Sequence, residues 1–101
     1  MSIVATTNEE KTNIHIRIKG RFDYTTNSEF RKAYSEGPGG GASYTLDLTE
    51  TEYVDSSALG MLLVFRDHAG GDDARVTINV IDPQVRKILE IANFDKLFTI
   101  A

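Results

Sequence analysis

The sequence predicts an α/β domain of α+β character, with a mixed sheet of four or five strands and three main helices packed mainly on one face. Three observations support this. Three runs alternate apolar and polar residues with the period of a strand buried on one side: Ile14, Ile16 and Ile18; Leu46 and Leu48; Val76, Ile78 and Val80. Three other segments space their apolar residues as helices do. The elements follow the order β-β-α-β-α-β-α-β, which requires both antiparallel and parallel neighbours. A doubly wound sheet would instead show continuous apolar runs in its central strands.

The first strand is expected near Ile3–Thr6 and the second over residues 13–19, joined by the polar turn Asn8-Glu9-Glu10-Lys11. A helix follows from about Thr26 to Glu36, with Phe30, Ala33 and Tyr34 as its inward stripe. The glycine-rich run Gly37-Pro38-Gly39-Gly40-Gly41 then ends that helix. It lacks the Gly-Lys-Ser/Thr continuation of a phosphate-binding loop, so it reads as a connection and is given no role. Tyr44–Leu48 is the third strand. The second helix starts at Asp55-Ser56, runs to about Ala69 and stops at Gly70-Gly71-Asp72-Asp73, before the strand Val76–Val80. Asp82 caps the third helix and Pro83 opens it, with Val85, Ile88, Leu89 and Ala92 at helical spacing. A final strand is expected at Leu97–Ile100.

The chain has 101 residues, 41% hydrophobic and 26% charged, which suits one globular domain spanning 1–101. Its net charge of −4 comes with no clustered basic face, so neither nucleic acid nor an anionic membrane is the expected partner. It has no cysteine, which excludes disulfides, thiolate catalysis and thiolate metal sites. Neither a signal peptide nor a run of the roughly 20 apolar residues needed to span a membrane is apparent. The expected compartment is the cytoplasm.

The segment Asp55-Ser56-Ser57-Ala58-Leu59-Gly60 follows Tyr53-Val54, which look buried, and opens the second helix. At 100° per residue, Ala58, Leu59, Leu62, Phe65 and Ala69 form a core stripe. Ser57, Met61, Val64 and His68 project from the other side, where Met61 and Val64 are the apolar residues of a candidate partner-binding surface. Ser and Asp at a helix start serve as caps for free backbone N–H groups. The same N–H groups and the positive end of the helix dipole also suit a phosphate on Ser56. Phosphorylation adds about −1.5 to −2 charges beside Asp55, against which a partner packed on this face meets desolvation and, if acidic, repulsion.

At these residues the chain resembles a known family. The segment Asp55–Gly60 is similar to the Asp-Ser-Ser/Thr-Gly/Ala-Leu-Gly signature of STAS domains, and specifically of bacterial anti-sigma factor antagonists. Gly20-Arg21-Phe22-Asp23 resembles the family's Gly-x-x-Asp segment, and Val85–Leu89 through Phe94–Phe98 resembles its last helix and strand. The resemblance implies a non-enzymatic switch without cofactors. Its unphosphorylated form would bind an anti-sigma factor with GHKL-type serine kinase activity and so free a sigma factor. The kinase would phosphorylate Ser56, and a PP2C-type phosphatase would reverse it. Asp23 would lie near Ser56 and shape the kinase-facing surface together with Asp55. Ser57 would be a neighbouring hydrogen-bonding residue and the secondary acceptor. Ala58 stands where glycine is commoner, which stiffens the first turn without blocking a phosphate.

Other readings carry less. An esterase elbow Gly-x-Ser-x-Gly is absent, and His15 and His68 read as surface residues rather than general bases. No group of His, Asp and Glu has metal-ligand spacing. A response-regulator receiver would need an acidic pair, a phosphorylated strand-end aspartate and a distal lysine in order. STAS modules of sensors, stressosomes, transporters and lipid-trafficking systems are the alternative within the resemblance. The short chain favours a stand-alone antagonist, monomeric when free.

Overall fold

A computed structural model describes residues 3–10, 12–35 and 42–101. The strands are β1 (Ile3–Thr7), β2 (Asn13–Ile18), β3 (Gly20–Phe22), β4 (Ser43–Leu48), β5 (Thr51–Val54), β6 (Arg75–Val80) and β7 (Thr99–Ile100). The helices are α1 (Asn27–Ser35), α2 (Ser56–His68) and α3 (Pro83–Ile91). The glycine-rich run and the expected helix end at residue 36 lie outside the described residues.

The main sheet has the order β1-β2-β4-β6-β7. β1 runs antiparallel to β2 and every other pair is parallel, so the sheet is mixed as expected. The hairpin registers Ile3 with Ile18 and Thr7 with Ile14, and Asn8 closes its turn by accepting the Thr12 and Asn13 N–H groups. Alternation decides the faces. Ile14, Ile16, Ile18, Tyr44, Leu46, Leu48, Val76, Ile78 and Val80 are buried among core residues supplied by the helices. His15, Thr45, Thr77 and Asn79, at the alternate positions of the same strands, are half-buried.

An aromatic chain ties helices to sheet. Phe22 meets Phe30 edge-on with ring centroids 5.1 Å apart, and Phe30 packs on Phe65 at 5.6 Å. Tyr34 and Tyr44 each lie 5.1 Å from Phe65. Such tilted and edge-to-face pairs add to the area these rings bury. The same contacts seat α1 against α2, which the linear order of elements does not reveal.

Three expectations need correction. β3 and β5 were not foreseen as strands; they form a separate two-stranded parallel ribbon. Only Val54 of the pair Tyr53-Val54 is buried, while Tyr53 is 42% exposed, because the ribbon's outer side faces solvent. The last strand is Thr99–Ile100 alone; Phe94–Lys96 form a 3₁₀ turn, and the Phe98 N–H returns to the Phe94 carbonyl at 2.9 Å.

Candidate functional site

The β3–β5 ribbon builds the site. Arg21 pairs with Tyr53 and Phe22 with Val54, and the Asp55 N–H donates to the Phe22 carbonyl at 3.4 Å. With Phe22 and Val54 buried, both strands end at the same level. The next residue on each is an aspartate that starts a helical turn. Asp23 and Asp55 are therefore the residues that directly follow a paired Phe22 and Val54, and Ser56 comes next after Asp55.

Asp23 is extended, with φ −143° and ψ −173°, and only 5% exposed. Its Oδ1 accepts the Thr25 N–H at 3.0 Å and the Thr25 hydroxyl, while Oδ2 accepts Arg21 Nε at 3.1 Å. The Thr26 hydroxyl closes a capping box with the Asp23 backbone. The Thr25 hydroxyl first, and then Arg21, hold the Asp23 carboxyl below its ordinary value against the upward push of burial. Asp23 stays an anion, but a committed one: its charge is already spoken for by its own neighbours.

Asp55 is the N-cap of α2, with φ −106° and ψ 178°. Its Oδ1 accepts the Ala58 N–H at 2.9 Å and the Ser57 hydroxyl at 2.7 Å. Ser57 is exposed yet tied. Ser56, the first residue of α2, is also exposed, and its hydroxyl makes no hydrogen bond among the described residues. The first turn of α2 holds no acidic residue beyond the cap. A phosphate on Ser56 would thus meet free space and the positive end of a 13-residue helix.

The expected outward position of Met61 is overturned. Met61 is 9% exposed and belongs to the core. The angular reading treated α2 as packed on the sheet alone, whereas α1 lies along its other side. His68 shows the same effect, with its ring 5.1 Å from Tyr34 of α1. Val64 does remain outside, at 51% exposure, and Leu63 joins it unforeseen. Asn27, Arg31 and Tyr34 of α1 and Ser57, Gly60, Met61 and Val64 of α2 line a groove of about 250 Å³.

Two further features escaped the sequence reading. The Arg21 guanidinium lies 4.1 Å from the centre of the Tyr53 ring, a stacking visible only once β3 and β5 are paired. Tyr24, directly after Asp23, is 72% exposed. Among the described residues no group of three or more His, Cys, Asp or Glu is placed to hold a metal ion. Nor is any helix among them long and apolar enough to cross a membrane.

A family model described as Mlab, STAS domain, matches residues 5–99. A STAS-domain containing protein of Pseudomonas aeruginosa (strain UCBPP-PA14) is 45% identical over 101 residues, 100% of both chains. The anti-sigma factor antagonist SpoIIAA in its unphosphorylated form superposes with a TM-score of 0.76 at 17% identity, over 98% of this chain and 87% of that one. The phosphorylated form of the Bacillus cell fate determinant SpoIIAA gives 0.68 at 14% identity, over 98% and 90%. At such identities the structural likeness concerns the fold.

Proposed function

Because this chain belongs to the STAS-domain family, we propose that it is an anti-sigma factor antagonist worked by a phosphate on Ser56. In this reading the unphosphorylated chain, a cytoplasmic monomer, binds an anti-sigma factor with GHKL-type serine kinase activity and displaces a sigma factor. The kinase esterifies Ser56, the complex separates, and a PP2C-type phosphatase restores the first state. The chain acts by binding, without catalysis or cofactor, and touches no nucleic acid or membrane.

The observation that carries this is the contrast between adjacent hydroxyls. Ser57 is engaged by Asp55 at 2.7 Å, while Ser56 is exposed and unengaged among the described residues. A kinase needs an accessible oxygen, and Ser56 offers one without breaking a cap. The dianion would then sit beside the Asp55 carboxylate and the groove residue Ser57. Each 1.4 kcal/mol of lost interaction lowers affinity about tenfold, so a few such increments abolish the complex.

The test is affinity capture with unphosphorylated protein, identification of the partner, and incubation with ATP. The expected product is a single phosphate on Ser56, absent from Ser56→Ala, which still binds. Ser56→Ala phosphorylated at the wild-type level would refute the assignment. A second reading, a STAS sensor or scaffold module not acting on a sigma factor, is favoured by one fact. The matching family model is described as Mlab, STAS domain, the 45% identical relative as a STAS-domain containing protein, and neither description mentions a sigma factor. Capture of a partner without kinase activity would select it.

A further inference from the structure

Gly60 lies inside α2, where glycine is among the poorest helix formers, and the fold gives no reason for it. A Cβ built there meets nothing within 4 Å, so neither α1 nor the sheet needs the space. Gly60 lines the groove between α1 and α2 without a side chain. On one wall Arg31 is exposed and has no ion pair among the described residues. On the other stands Val64, half exposed. A glycine open to close approach, an exposed arginine with no ion pair among the described residues and a half-exposed valine thus line one groove.

We infer that this groove is the docking site for a protein partner that lays a segment against Gly60 and offers a carboxylate to Arg31. This rests on the partner-binding reading above and adds to it the chemistry of the partner. An acidic occupant explains both halves of the switch. Arg31 attracts it, and a phosphate on Ser56, one residue from Ser57 on the groove wall, repels it. The glycine is then kept for contact at the expense of helix stability.

The probe is the anti-sigma factor kinase purified after capture by the wild-type chain, titrated against wild type, Gly60→Ala and Arg31→Glu, each also melted alone. Gly60→Ala is expected to melt higher, by roughly 4 °C or more, yet to bind at least tenfold more weakly. Arg31→Glu is expected to melt near wild type, bind at least tenfold more weakly and lose part of the salt dependence. A lower melting temperature for Gly60→Ala would show that the fold itself needs the glycine and overturns the inference without any partner. Binding within twofold of wild type in both variants overturns it too. Self-association of the wild type that Arg31→Glu abolishes would assign the groove to a second copy instead. A kinase that modifies Ser56 but ignores both variants rejects the groove and leaves the switch intact. A partner that never modifies Ser56, yet is weakened by both variants, does the reverse.

Discussion

At Asp23, one carboxylate takes hydrogen bonds from the Thr25 N–H and hydroxyl and from Arg21 while lying 5% exposed. Gly20-Arg21-Phe22-Asp23 was legible as a segment of interest, but its structural duty was not. The capping box depends on Thr26 and on an extended backbone that only the ribbon imposes. Asp23→Ala is therefore expected to lower the melting temperature by several degrees as well as slow phosphorylation of Ser56, and Asp23→Asn to recover part of the stability. A melting temperature unchanged in Asp23→Ala would show the cap to be dispensable. The distinction between Ser56 and Ser57 was likewise only half readable. The motif ranked them as acceptors, and the Asp55–Ser57 hydrogen bond is a physical difference between the two hydroxyls that the motif does not show.

At the scale of the element, α2 shows where periodicity stops. Its start, cap and end followed from Asp55 and from the glycines after Ala69, because those are local choices. Which side met α1 was not local. Periodicity marks which residues share a side, but the neighbour covering that side comes from chain folding elsewhere. Met61→Glu is accordingly expected to destabilise by about 3 kcal/mol or more, since truncating a buried Met alone costs about 2–5 kcal/mol and a buried carboxylate adds to it. Chemical denaturation measures this directly; a loss under ~0.5 kcal/mol would put Met61 back on the surface. Val64→Glu is the proper surface variant. It should change stability by no more than about 0.5 kcal/mol and weaken partner binding in the same titration.

Across the whole molecule, the mixed five-stranded sheet was written in the alternation of Ile14–Ile18, Leu46–Leu48 and Val76–Val80. The ribbon was not, because Gly20–Phe22 and Thr51–Val54 are too short to show a period. On the sheet side away from the helices, His15 Nε2 lies 3.2 Å and Arg17 Nε 3.6 Å from Asp47 Oδ2, while Thr49 donates both its N–H and its hydroxyl to Oδ1. Burial pushes the Asp47 carboxyl up, but Thr49 and His15 outweigh it and leave the group below its ordinary value. Asp23 is shifted the same way. A depressed carboxyl stabilises the fold fully above its unfolded value, about pH 4, and loses that contribution as pH falls through the folded one. Wild-type stability should thus decline below about pH 4, and Asp47→Asn should decline less steeply there. Parallel acid profiles for the two proteins would contradict this.

The ribbon of β3 and β5 has a last consequence. Phe22 and Val54 pin both strand ends in the core, and the two aspartates that start the next helical turns follow one position later. In the proposed switch, a phosphate on the exposed Ser56 would therefore disturb neither buried strand end. The proposed cycle would then be paced by encounter and chemistry, with no refolding step, and phosphorylated and unphosphorylated protein should melt at nearly the same temperature.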